Sequence, residues 1–277
     1  MNIDRIRELS DLEIHAKPGD EHFVHGISGC RDWQERIRTV RESLDNGRIQ
    51  KGPNTGEIIG NHFRAHNGVS VGLDSYYGYS MLLMLLENDT VHEPQEERAF
   101  GEVLPFVSPG ATMVELGSYW SFYSMWFNSR VSGARNLMVE PDTVNMRRGM
   151  DNFELNGMSG RFINAIVGAD MASIRRVTVD SLMDDNGIDR ISVLHSDIQG
   201  CEVRMLSETK NLDRIDYFFV STHSNGLHRK CERLLSDAGA MILCSVDLDG
   251  SYSCDGLIVA RHRDATGPDR IDVSVRG

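Results

Sequence analysis

The stretch at 111–127, ATMVELGSYWSFYSMWF, constrains the fold more than any other part of the chain. It reads as a buried strand over 112–116, a turn at Gly117-Ser118, and a helix running through Met125, Trp126 and Phe127. A strand that ends in a glycine turn and opens a helix makes a ligand site, because the first helical N–H groups lack intrahelical partners. Gly117 allows the tight turn and a close backbone approach. The fingerprint G-x-G-x-x-G is absent, since Gly117 is followed by Ser118, Tyr119, Trp120 and Ser121. Binding of a dinucleotide pyrophosphate is therefore disfavoured. A second acid, Glu140, ends the next expected strand, about 20 residues after the glycine turn, where α/β nucleotide sites keep an acid for ribose hydroxyls.

The rest of the chain alternates in the same way. Helices are expected over 92–107, 143–156, 181–186, 201–206 and 227–239. Strands are expected over 161–167, 189–197, 215–221, 240–246 and 256–261, with a further one at 271–275. Such alternation implies an α/β fold, a mostly parallel sheet with right-handed crossovers. The last two long strands, joined by the polar loop 247–255, suit an antiparallel hairpin. In a parallel sheet, ligands gather outside the carboxyl ends of the strands, at the switch in strand order. That rule places Glu115 or Gly117, Glu140, Asp197 and His223 at one edge. Residues 1–90 are expected to form a helical and irregular cap, with a helix over 32–44, a hairpin around Asn67-Gly68 and a helix ending near Leu86. Tyr76, Tyr77 and Tyr79 either line a substrate pocket or anchor the cap. The apolar helix 79–86 packs on its own core or on a second copy, as a homo-oligomer.

Several motifs carry a family resemblance. E-x-G-x-x-x-x-x-x-S from Glu115 to Ser124, followed by V-E-P-D from Val139 to Asp142, resembles the S-adenosylmethionine site of class I methyltransferases. LHSDIQGCE, from Leu194 to Glu202, resembles the D-x-x-G-x-E segment of the FkbM family of O-methyltransferases. FVSTHS from Phe219 and DGLIVA from Asp255 fit the same family, so that the similarity runs over roughly 92–261. The resemblance implies a Rossmann-like catalytic domain over 91–277 and S-adenosylmethionine as cofactor. It implies that Glu115, Gly117 and Ser121 surround the methionine part of the cofactor, with Ser118 and Tyr119 also binding it. Glu140 would hold the ribose, and 165–168 would flank the adenine. Glu93 or Gln95 would reach the cofactor or acceptor, unless these residues only open their helix. Two departures stand out. Ser121 occupies a position where many class I enzymes carry glycine, and His195 precedes Asp197 where a lysine is frequent.

Methyl transfer to a hydroxyl needs a base, or a cation that acidifies the hydroxyl. His223 or His195 can supply the base, with Asp197 beside them. Alternatively Asp197, Glu202 and His223 hold a divalent ion, for which oxygen ligands with one imidazole suit Mg2+ or Mn2+. Structural roles compete with each assignment. His195 fits a core histidine, Asp197 a helix cap, and Glu202 an acid at a helix start. His228 fits either the pocket or the surface. The acceptor expected from the resemblance is a small-molecule hydroxyl, on a sugar or another natural-product intermediate. An inactive methyltransferase-like binding subunit and an NAD-dependent dehydrogenase remain the alternatives.

Bulk properties narrow the partners. The net charge of −12 over 277 residues argues against nucleic acid or an anionic membrane surface. No apolar run approaches a membrane span, and the first residues lack the layout of a signal peptide. The five cysteines, Cys30, Cys201, Cys231, Cys244 and Cys254, are odd in number and form no C-x-x-C pair. Reduced thiols and a cytoplasmic location follow as expectations.

Overall fold

Helices cover both faces of a seven-stranded sheet in the computed structural model, which describes residues 1–16 and 33–277. The N-terminal segment supplies α1 (Ile3–Ala16), α2 (Trp33–Glu42) and α3 (Tyr79–Glu87). Between the last two lies a small antiparallel sheet of β1 (Ile58–Ile59), β2 (His62–Arg64) and β3 (Ser70–Gly72). The hairpin expected at Asn67-Gly68 joins β2 to β3, with Gly68 at a φ of 93°. Asp32, the expected start of α2, and Cys30 lie outside the described residues. The face of α3 carrying Met81, Leu82, Met84 and Leu85 is buried within the same chain, with Ile6 of α1 in the same core. Intramolecular packing thus covers the helix that offered a dimer surface.

The main unit opens with α4 (Pro94–Val103), β4 (Thr112–Leu116), α5 (Phe122–Arg130), β5 (Arg135–Val139) and α6 (Thr143–Leu155). Next come β6 (Arg161–Ile163), the short β7 (Ile166–Val167) and β8 (Arg176–Val177), and α7 (Val179–Asn186). β9 (Ile191–Ser196), α8 (Glu202–Glu208), β10 (Ile215–Thr222), α9 (Asn225–Asp237), β11 (Ala240–Val246) and β12 (Gly256–His262) complete it. The sheet order is β11-β12-β10-β9-β4-β5-β6. The five strands from β10 to β6 are parallel, while β12 and β11 close the sheet antiparallel. This is the expected Rossmann-like α/β fold, and its order reverses between β4 and β9.

One core cluster packs Phe100 of α4, Phe122 and Phe127 of α5 and Phe153 of α6 on one face, together with the N-terminal segment. A second packs Leu182, Met205 and Leu235, from α7, α8 and α9, on the other. Two expected strands differ. The strand at 161–167 is broken after Ile163, where the Asn164 side chain donates to the carbonyls of Glu140 (3.0 Å) and Pro141 (2.8 Å). β7 then pairs with β8 instead of extending the main sheet. The tail at 271–275 forms no strand. Ile271 donates one backbone bond to Leu243, after which Ser274 is captured by Asp45 through its N–H and its hydroxyl.

Candidate functional site

A crevice of about 710 Å³ opens at the carboxyl ends of β4 and β9, where the strand order reverses. Its floor is the turn after β4. Gly117 has φ 73°, and both Gly117 and Ser118 donate their N–H groups to Val139 at 2.9 and 3.0 Å. The turn therefore hangs on the end of β5. Tyr119 and Ser121 also adopt left-handed φ, 44° and 63°. This tight coil lets Trp120 stack on Phe122 (centroids 5.0 Å apart, planes at 19°) and places Tyr119 in the crevice.

The expected anion site at the start of α5 has an internal occupant. The carboxylate of Glu115, near the end of β4, accepts from the Ser124 N–H at 3.2 Å. A buried acid at a helix N-terminus is favoured by the helix dipole, although burial still raises the Glu115 pKa to about 7, with His195 opposing. Glu115 and His195 are register partners on neighbouring strands, so their side chains share one face.

Glu140 lies on the crevice wall. Its two oxygens accept from the Tyr119 N–H and the Asp142 N–H, both at 2.9 Å, so the acid fixes the turn that forms the floor. Burial raises its pKa. Ser118 also faces the crevice, and its buried hydroxyl has no hydrogen-bond partner. Ala165, Ile166 and Val167 line the opposite side, but Gly168 does not.

His195 lies on the crevice between two acids. Its Nε2 is 2.7 Å from Glu96 Oε1, and the other oxygen of Glu96 accepts from Ser221 at 3.0 Å. The Tyr123 ring packs on the imidazole with centroids 4.2 Å apart. Burial alone would lower the His195 pKa, but Glu96 foremost, then Glu115 and Glu93, raise it to about 9. Its stabilising charge is therefore complete below the ordinary value of 6.5 and is lost as pH rises through about 9. A histidine NMR titration should find one imidazole titrating near pH 9. Glu96→Gln should shift that transition downward, and an unchanged titration would contradict the pairing.

Beyond the end of β10, His223 is buried behind the wall. Its Nδ1 is 2.8 Å from Glu202 Oε1, and its Nε2 lies 3.1 Å from Asp197 Oδ1 and 3.2 Å from Asp255 Oδ1. Asp197 and Asp255 line the crevice, whereas His223 and Glu202 do not. Sequence reasoning missed Asp255 as a site residue. The signal was present in the expected hairpin. In an antiparallel last strand, the residue before its start lies at the carboxyl edge of the parallel strands, and Gly256 pairs with Thr222, next to His223.

Other candidates are placed elsewhere. Gln95 does not line the crevice. Its amide donates to the carbonyls of Gly250 (3.2 Å) and Ser274 (2.6 Å) and accepts from the Tyr252 N–H (2.9 Å), which fastens the loop carrying Asp255. Glu93, the other candidate on that stretch, does reach the crevice, and its carboxylate accepts from the Tyr123 hydroxyl at 3.0 Å. Burial raises the Glu93 pKa to about 7. Ser121 is fully buried and turned toward α6, where a Cβ on Gly149 would lie 2.4 Å from its hydroxyl. His228 is a core histidine, with its two nitrogens 2.8 Å from Thr222 Oγ1 and 2.9 Å from Ser245 Oγ. Tyr76 and Tyr77 line the crevice while Tyr79 lies outside it, and the Tyr77 N–H donates to the Tyr119 hydroxyl at 2.9 Å.

Fold and site together define a Rossmann-like α/β domain with an acid-walled crevice at its switch point. No protein-family model matches the chain, and no curated protein matches it. Among solved structures, it is similar to M. capricolum TrmK in complex with S-adenosylhomocysteine, at 8% identity over 63% of this chain and 71% of that one, with a TM-score of 0.45. It is also similar to precorrin-6y C5,15-methyltransferase from Geobacter metallireducens GS-15, at 13% identity over 61% of this chain and 88% of that one, with a TM-score of 0.43. The ribosomal protein L11 methylase from Lactobacillus delbrueckii subsp. bulgaricus gives 14% identity over 61% of this chain and 79% of that one, with a TM-score of 0.42. At these values the likenesses assign neither substrate nor cofactor to this chain. No comparison places it in the FkbM family. Among the described residues, no helix is long and apolar enough to cross a membrane.

Proposed function

We propose that the protein is an S-adenosylmethionine-dependent O-methyltransferase acting on a hydroxyl of a small molecule. The observation that carries this reading is the acid-rich wall of the crevice, with Glu93, Glu115, Glu140, Asp197 and Asp255 on it. The N-terminus of α5, which follows the glycine turn, is already occupied by Glu115. Arg36, Arg148 and His195 also line the crevice, so acids and cations face one space, which suits a ligand that carries both signs of charge.

Bound S-adenosylmethionine would supply an electrophilic methyl group on a sulfonium. The residues present fit that ligand. Glu140 has a carboxylate at the end of β5 with spare acceptor capacity for two ribose hydroxyls. The unpartnered Ser118 hydroxyl and the Gly117 turn face the same space. Tyr76, Tyr77, Tyr119 and Trp120 form an aromatic wall of the crevice against which an adenosyl or acceptor group can pack. His195 holds its own proton at neutral pH, so it pairs with Glu96 as a cation rather than accepting a proton. Activation of the hydroxyl then falls to the centre around Asp197 and His223. The motifs shared with FkbM enzymes support a sugar or another natural-product intermediate as acceptor.

Calorimetric titration with S-adenosylhomocysteine tests the reading. Saturable binding is expected for the wild-type protein. Glu140→Ala should weaken it by about tenfold to a hundredfold, the loss of hydrogen bonds to a charged acceptor. Absence of binding by the wild type would overturn the assignment.

A further inference from the structure

We propose that Asp197, His223 and Asp255 form a divalent-cation site of the Mn2+ or Mg2+ type. The inference rests on the methyltransferase reading only for its use, and not for its geometry. One ligand atom from each residue lies within 4.8 Å of the other two. The Nε2 of His223 is buried and has no hydrogen-bond partner, yet it points between Asp197 Oδ1 and Asp255 Oδ1 at 3.1 and 3.2 Å. A cation between the three atoms resolves this arrangement.

Glu202 belongs to the site as a positioning residue, not a ligand. Its Oε1 accepts from His223 Nδ1 at 2.8 Å and from the Gly200 N–H at 2.9 Å. A carboxylate behind the far nitrogen of a metal-binding imidazole fixes the tautomer and turns the lone pair of the near nitrogen outward. With Nδ1–H donating to Glu202, Nε2 would present that lone pair to a cation bound between the two carboxylates, in place of the proton it otherwise holds there. Three carboxylates converge on this one imidazole, an excess of negative charge that a divalent ion would largely cancel. Gln199 further orients Asp197, donating to its Oδ1 at 2.9 Å. Two oxygens and one imidazole suit a hard cation that prefers six ligands, so about half of its coordination shell stays open to the crevice. A hydroxyl oxygen of the acceptor would take one of those open positions, with water in the others, and lose its proton to that water more readily.

The test uses the full chain and Mn2+ alone, followed by electron paramagnetic resonance and calorimetry. One tightly bound Mn2+ per chain is expected, with pulsed spectra showing coupling to a single imidazole nitrogen. Asp255→Asn and Asp197→Asn should abolish the site, and Glu202→Gln should weaken Mn2+ by about tenfold. Failure of the wild type to bind Mn2+, or binding without nitrogen coupling, overturns the proposal even where a variant does not fold. Equal affinity in wild type and Asp255→Asn overturns it as well. Titration with S-adenosylhomocysteine on the same preparation separates the two ideas. Cofactor-product binding without Mn2+ binding rejects the cation site alone. Mn2+ binding without cofactor-product binding rejects the methyltransferase reading alone.

Discussion

Gly117→Ala is expected to lower the melting temperature by about 10 °C and to abolish S-adenosylhomocysteine binding. Two effects combine at this residue. Its φ of 73° is one that alanine adopts only with strain, about 1 kcal/mol or more at a single position. A Cβ there would also lie 1.8 Å from the carbonyl oxygen of Asp197 and 2.8 Å from its carbonyl carbon. The obstacle is backbone, and that backbone leads directly into a site residue, so it cannot swing aside as a flexible side chain would. Relief requires β4 and β9 to separate at their carboxyl ends, which costs about 3 kcal/mol in total and widens the crevice floor. A loss of this size corresponds to roughly 3 °C per kcal/mol in a chain of this length. Calorimetric melting together with the ligand titration checks it. A melting temperature within a degree of wild type would show that the turn is more pliable than its contacts imply.

The second large effect concerns Glu97, which is fully buried. One of its oxygens is 2.5 Å from His66 Nε2. The other is 2.7 Å from His92 Nδ1 and also accepts the N–H groups of His92 and Glu93 at 2.8 Å each. A single carboxylate thus ties the small N-terminal sheet to the start of α4. Burial works against its ionisation, but His92 and then His66 more than offset this and hold its pKa well below the ordinary 4.5. Glu97→Ala should destabilise the protein by about 4 kcal/mol, because it strands two imidazoles and two backbone donors in the interior. The sign of the pH dependence follows from the depressed pKa. The contribution is fully present above about pH 4.5 and is lost as pH falls through the lower folded value. Denaturant unfolding between pH 7 and pH 3 should therefore show a shallower acid loss in the variant than in the wild type. Parallel curves would remove Glu97 from the acid response.

The sequence by itself determined the α/β alternation, the strand–turn–helix at Gly117 and the chain order of the acids at strand ends. The reason is local. Apolar period, glycine position and cap chemistry act within a few residues, and strand ends in a parallel sheet share one edge by topology. Glu115, Gly117, Glu140, His195 and Asp197 consequently fall on the crevice, as their positions in the chain suggested.

Only the tertiary structure decided which neighbours each polar side chain meets. Asp255 reaches His223 because β12 runs antiparallel beside β10, a pairing across more than thirty residues of sequence. Gln95, at the start of α4 and a candidate for the ligand, is turned instead to the loop that carries Asp255. Ser121 points away from the crevice because its left-handed φ rotates it toward α6. Glu202 stands behind His223 rather than beside it. Glu115 occupies the helix terminus that the turn seemed to offer to a ligand. In each case the spacing along the chain fixes the strand end or the helix turn. The direction of the side chain depends on register and packing between elements that are distant in sequence, and no local pattern encodes that.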